Sequence, residues 1–433
     1  SATSGAQSGT SWTHSSLTPN TRYTYRVAVT DVALNSATSS SSNKYTLAAV
    51  PASLIGTANS GTQITASWNA NNNASGTEYY AENTTNSTNS GWITATSWAS
   101  TGLTCSTSYS FRVKARNGDG TETAFTDATT VATQGCSPNS PSSLAPASLV
   151  NGSWGNDNTP TLTFSLSDPD AGDTLRYRIQ IDDTSDFSSL VVDYTSALQA
   201  QGAATFTVGQ AAGSGSYTAG SAGQTLTDSA NSTSGYYWKV LATDNTGASS
   251  AYTTANSGAI AFKLDTTAPV TGPITFGAIA TTSIVAQAES ASDAISGLAA
   301  APYNFAETTT GASSGAQAGT SWSHANLNVN AQYSYRVTVT DAAGNSAVSS
   351  ASNKYTYANA PSALTGVADS PTAITISWSA NANPQGTEYF AENTTTGANS
   401  SWMGTASWTS SSLECNTSYT FRELSDLSFD IAR

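Results

Sequence analysis

Three carboxylates crowd one short segment of this sequence, Asp168-Pro169-Asp170-Ala171-Gly172-Asp173. Carboxylates gathered around a turn suit a hard cation such as Ca²⁺, which takes about six to eight oxygen ligands. Asp168, Asp170 and Asp173 are the candidate calcium ligands, with Asp182, Asp183 and Asp186 as possible additions further along. The segment lacks full EF-hand spacing and a closing bidentate Glu, and Asx turns between strands account for the same residues without an ion. No other cofactor is implied. Glu78 and Glu82, with Glu388 and Glu392, are the paired carboxylates. On one strand such a pair lies about 13 Å apart, wider than the roughly 5–9.5 Å of glycosidase pairs, so a solvated face is expected. His14 and His324 stand alone, without a metal motif, nucleophile elbow or phosphate loop. No residue is assigned a catalytic role, and the chain is read as non-enzymatic over its 433 residues.

Two further residue sets could meet sugars. Trp92 and Trp98, with Trp402 and Trp408, could stack on a polysaccharide, or else pack into a core or cover a sheet edge. Asn-x-Ser/Thr sequons at Asn73, Asn83, Asn86, Asn151, Asn231, Asn393, Asn399 and Asn416 would permit glycosylation if they lie on loops of a secreted chain.

Composition narrows the elements that must position these residues. Only 10% of residues are charged, yet 10 Trp, 19 Tyr and 11 Phe recur at regular places, which a disordered chain would lack. Thr, Val and Tyr favour strands, and the helix formers Met, Leu, Lys and Glu are scarce. An all-β array follows. The net charge of −14, with no Lys/Arg cluster, disfavours nucleic acid and anionic membranes as partners. No run of 18 apolar residues provides a transmembrane segment.

The chain copies itself at a spacing of 310 residues. Tyr23-Thr24-Tyr25-Arg26-Val27 returns as Tyr333-Ser334-Tyr335-Arg336-Val337, Ala81-Glu82-Asn83-Thr84-Thr85 as Ala391-Glu392-Asn393-Thr394-Thr395, and Cys105 as Cys415. The correspondence runs without a gap to Phe111-Arg112 and Phe421-Arg422. A spacer gains length from such a copy, whereas a catalytic domain seldom needs one. Pro-rich turns such as Val50-Pro51, Ser137-Pro138 and Thr267-Ala268-Pro269 mark boundaries. The modules are 1–48 (a C-terminal half), 51–136, 138–266, 267–357 and 360–433 (C-terminally incomplete).

Within 51–136, alternation puts Ile64, Ala66 and Trp68 on one strand face and Tyr109, Phe111 and Val113 on another. Asn117-Gly118-Asp119-Gly120 offers a turn. Leu17-Thr18-Pro19-Asn20-Thr21-Arg22-Tyr23 matches the Leu-x-Pro-x-Thr-x-Tyr pattern that precedes the sixth strand of fibronectin type III modules, where the Tyr hydroxyl caps a loop. Leu103 to Tyr109 and Leu413 to Tyr419 match with Cys in place of Pro; Leu327 to Tyr333 keeps only the Leu and Tyr. Trp68 and Trp378 match that family's second-strand core Trp. The chain resembles tandem fibronectin type III domains of a bacterial or archaeal secreted or cell-surface protein. The implied fold is a row of fibronectin type III and immunoglobulin-like β-sandwiches arranged as beads on a string. Module 138–266 fits less well, with Tyr236 to Asp244 as its sixth strand and a long Gly/Ser/Ala-rich middle.

The resemblance also implies a Cys105–Cys136 disulfide, since Cys recurs at both places in bacterial relatives; free buried thiols are the alternative. A counterpart of Cys136 for Cys415 would fall past Arg433. Residue 1 aligns with Gly311, and after Arg422 the second copy departs from the first. Either the chain is a piece of a longer polypeptide, or neighbouring chains complete each other's sandwiches and form a filament. The expected function is a structural or adhesive segment of an extracellular fibre or cell-surface stalk, with copies of itself, other surface proteins or polysaccharide as partners. The alternative is a set of accessory or carbohydrate-binding modules of a larger secreted polysaccharide-degrading enzyme.

Overall fold

The computed structural model describes residues 1–425, and the only helical turns among them are two short 3₁₀ segments, Ala147–Leu149 and Ala255–Gly258. No described helix is long and apolar enough to cross a membrane. Alternation of small or polar residues with large apolar ones drives the strands. In 51–136, Ala52–Ser60, Gln63–Asn69 and Ser97–Thr101 form a three-stranded sheet. Against it lies a four-stranded sheet in the order Thr129–Ala132, Ser108–Arg116, Glu78–Asn83, Thr88–Ile93. Ile64, Ala66, Trp68, Phe111 and Val113 meet between the two sheets, each nearly or fully buried.

The following module has the largest core. Leu175–Asp182 and Tyr237–Asp244 pair antiparallel at the centre of a five-stranded sheet, facing a three-stranded one built on Thr161–Leu166. Trp238 is fully enclosed there, and its Nε1 donates to Leu149 O at 2.8 Å. The next module packs Ile284 and Ala286 against Phe305, Tyr335, Val337 and Val339. In residues 1–48 the counterparts Val27 and Val29 are 65% and 62% exposed, because strands Ile274–Ile279, Ser283–Ala288 and Leu298–Glu307 have no counterpart there. Without those partners, residues 3–7 and 11–15 also form no ladder, although Ser313–Gln317 and Ser321–Ala325 do.

In the last module, Phe421–Ser425 pairs with Tyr389–Asn393 in the register that joins Phe111–Ala115 to Tyr79–Asn83. The strand thus runs past Arg422, where the copied sequence ends, because ladder bonds come from backbone groups. Side-chain pattern does suffer: Glu423 takes the inward place of Val113, and Leu424 turns outward at 45% exposure. The rest of the divergent tail, 426–433, lies outside the described residues.

A tyrosine corner closes each module. The hydroxyls of Tyr23, Tyr109, Tyr333 and Tyr419 accept from the backbone N–H of Thr18, Thr104, Asn328 and Glu414 at 2.7–3.2 Å. The long module has one too, unforeseen because its Leu and Tyr stand ten residues apart instead of six: Leu226 is buried, and Tyr236 Oη donates to Thr227 O and accepts from Thr227 N.

Candidate functional site at the module junctions

The residues with unusual chemistry collect where modules meet. Asn20 and Asn330 sit at positive φ, +47° and +46°, a region that Asn tolerates better than branched side chains. From there Asn20 Nδ2 donates to Thr77 Oγ1 at 2.7 Å and Asn330 Nδ2 to Thr387 Oγ1 at 2.8 Å, joining each module to the next. Asn73 Oδ1 accepts from Ala49 N at 2.7 Å, and Asn383 Oδ1 from Asn359 N at 2.8 Å, fastening both linkers. At the first of these junctions Lys44 also pairs with Asp119 at 2.9 Å, and Gly118 packs on Tyr45, where any Cβ would come within 2.5 Å of the ring.

Carboxylates replace amides at the two middle junctions. Asp168 opens the loop after strand Thr161–Leu166, and its Oδ1 accepts from Asp170 N at 2.8 Å, an Asx turn. Gln201 braces the loop: its Oε1 accepts from Asp168 N and its Nε2 donates to Asp170 O. The register that sets Leu175 opposite Asp244 brings a second loop alongside. Asp244 Oδ1 accepts from Thr246 N, Thr246 Oγ1 and Ala248 N at 2.8–2.9 Å, with Gly247 at φ +98° completing the turn. One carboxylate oxygen each from Asp168, Asp173 and Asp244 then lie within 4.8 Å of one another. Asp168 Oδ2 and Asp244 Oδ2 are buried and accept no hydrogen bond. Burial, with the negative charges of Asp170, Asp173 and Asp244, pushes the Asp168 carboxyl above the usual carboxylate range.

Asp170, grouped in sequence with Asp168 and Asp173, faces the other way. Its Oδ2 accepts from Cys136 N at 2.7 Å, tying the loop to the preceding linker. Cys136 is joined to Cys105 by a disulfide with Cα atoms 5.5 Å apart, and Cys415 is exposed and free. Asp182 lies at the far end of strand Leu175–Asp182, about 23 Å along it. Its oxygens accept from Thr184 N and Ser189 N, so that loop contributes nothing to the cluster. At the next junction Asp265, Asp293 and Asp341 also gather, but there both oxygens of the buried pair are bonded: Asp265 accepts from Thr267 N and Ser296 N, and Asp341 from Gly344 N, Asn345 N and Asn345 Nδ2, while Ile295, Ser296 and Gly297 N reach Oδ1 of Asp293.

The remaining candidates are engaged in structure. Glu82 pairs with Arg112 at 2.9 Å, Glu78 with Arg116 at 2.6 Å and Glu392 with Arg422 at 2.6 Å, a charge ladder on the outer sheet face. Imidazoles stack on indoles, His14 on Trp12 and His324 on Trp322, with Nδ1 3.2 and 3.1 Å from Tyr25 Oη and Tyr335 Oη. Burial lowers the His324 pKa.

The four Trp do not share a face, so the two alternatives, sugar stacking and core or edge packing, divide between them. Trp92 lies opposite Tyr80 on the outer face, with Arg116 4.4 Å from its ring, and Trp402 likewise lies opposite Phe390, the two rings tilted at 49°. Trp98 and Trp408 lie opposite Ala66 and Ile376, turn inward, and meet Phe111 and Phe421. Two sequons are corrected: Asn83 and Asn393 have no exposure, because each amide caps the turn that follows its strand. Asn73 has its amide bonded to the linker, whereas Asn86, Asn151, Asn231, Asn399 and Asn416 are exposed.

No protein-family model matches this sequence, and no curated protein matches it. Among solved structures the chain is similar to the FN1–FN3 domains of chicken CNTN1, at 15% identity and a TM-score of 0.31, over 71% of this chain and 99% of that one. By its paired and largely antiparallel sheets, the chain is an all-β tandem of β-sandwich modules.

Proposed function

We propose that this chain is a structural segment of an extracellular fibre or cell-surface stalk, serving reach, spacing and adhesion. The observation that carries the reading is the repeated fastening of linkers: Asn20–Thr77 recurs as Asn330–Thr387, and Asn73–Ala49 as Asn383–Asn359. A copied unit whose joints are copied with it adds length without adding slack. The disulfide supports an oxidising compartment. Its partners would be further copies of itself or other surface proteins.

Small-angle scattering of the whole chain should then give a rod, with a maximum dimension of about 150 Å for five modules of roughly 30 Å each. Asn330→Ala combined with Asn383→Ala should broaden the distance distribution without unfolding either module. A compact particle, or joints indifferent to both substitutions, would sink the reading. The second reading, accessory modules of a larger secreted polysaccharide-degrading enzyme, draws on the 43% exposure of Trp402. Glycan-array binding that vanishes on Trp402→Ala would favour it.

A further inference from the structure

We infer that Asp168, Asp173 and Asp244 form a calcium site that locks the two loops facing the Cys105–Cys136 linker. The inference does not depend on the stalk reading. Two separate observations meet here. The first is the gathering of three carboxylate oxygens within 4.8 Å, about the width of a Ca²⁺ shell with oxygens at roughly 2.3–2.6 Å. The second is that Asp168 and Asp244 are only 8% and 1% exposed, yet each keeps an oxygen with no donor. Buried carboxylate oxygens without a donor need a cation or a proton as partner.

Local design makes the cation the better fit. The backbone donors that reach these two carboxylates all go to Oδ1: Asp170 N to Asp168, and Thr246 N and Ala248 N to Asp244. Those turns hold the carboxylates in place while leaving the Oδ2 side open. Asn245 lies beside Asp173; with its nitrogen toward that carboxylate it donates at 3.2 and 3.3 Å. Turned by half a rotation, the amide offers its oxygen to the same space, a neutral ligand of the kind hard cations accept. Asp173 is half-buried and leaves a way in from solvent. The ligand set is all oxygen, which excludes soft metals and suits Ca²⁺ or Mg²⁺.

The neighbouring cluster Asp265, Asp293 and Asp341 supplies an internal control, because both oxygens of its two buried carboxylates, Asp265 and Asp341, already accept hydrogen bonds. The cation would act on the junction through Asp170, whose side chain grips Cys136 N from the same loop.

The test is calorimetric titration of the whole chain, stripped with EGTA, with CaCl₂ and separately MgCl₂, alongside thermal unfolding in EGTA and in calcium. One Ca²⁺ should bind with a Kd on the order of 0.1–1 mM, the range of extracellular modules. Asp168→Asn and Asp244→Asn keep the Oδ1 acceptors, so the turns should form. Both should abolish the binding heat and the calcium-induced rise in Tm, while melting in EGTA no lower than the parent. Asp293→Asn should leave both responses unchanged. Absence of binding at 10-fold above that Kd range, a response to Mg²⁺ alone, binding retained in both variants, or binding lost in Asp293→Asn would each overturn the assignment. So would variants that melt below the parent in EGTA, since the carboxylates would then be serving the turns alone.

Discussion

Glu307 has no solvent exposure, yet it stays ionised. Burial alone would raise its carboxyl, but the hydrogen bonds from Thr309 and Thr310, side chain and backbone, outweigh that and hold it at about 2 against an ordinary 4.5. A folded-state value below the unfolded one stabilises the fold above the unfolded pKa, and that contribution fades as pH falls from about 4.5 toward 2. At about 1.4 kcal/mol per unit the contribution is about 3 kcal/mol at neutral pH. Hydrogen exchange at strand Gln332–Asp341, corrected for intrinsic rates, should show a loss of protection below about pH 4.5 that Glu307→Gln removes. An acid limb unchanged in that variant would refute the assignment. Residue-scale chemistry of this kind was invisible in sequence, where Glu307 reads as one more polar residue at a strand end. The same holds for Asp244, whose partnership with Asp168 depends on the register of two strands separated by some sixty residues.

Elements were more legible, and for a physical reason. Alternation in Gln63–Asn69 and Ser108–Arg116 reports directly which side chains face inward, so Ile64, Trp68, Phe111 and Val113 could be placed from spacing alone. Trp92 and Trp98 were harder, since each strand reveals its own alternation but not which face is covered. The pairing partners decide it, Tyr80 for one and Ala66 for the other. The corner tyrosines permit an element-scale comparison. Tyr236 both donates and accepts and is buried, whereas Tyr419, half-exposed, accepts from Glu414 N among the described residues. Tyr236→Phe should therefore cost about 1–3 kcal/mol, and Tyr419→Phe under about 1 kcal/mol. Urea unfolding of each variant against the parent, followed at the affected module by exchange, separates the two. Equal costs would mean that the corner in the long module does not act as a staple.

At the scale of the whole molecule, the modules are copies that differ in what secures them. The 51–136 sandwich has seven strands and a disulfide, while in its second copy Glu423 takes the inward place of Val113. The disulfide bears on how the chain would behave under tension. Cys105 and Cys136 are 31 residues apart, and the bond between them shunts force past the strands Ser108–Arg116 and Thr129–Ala132. Stretching the oxidised chain should release about 100 Å less contour length from this module than stretching the reduced one, at roughly 3.3–3.6 Å per residue. Single-molecule extension with and without reductant measures that difference, and equal lengths would exclude a load-bearing bond. A module with so much length withheld acts as a stop.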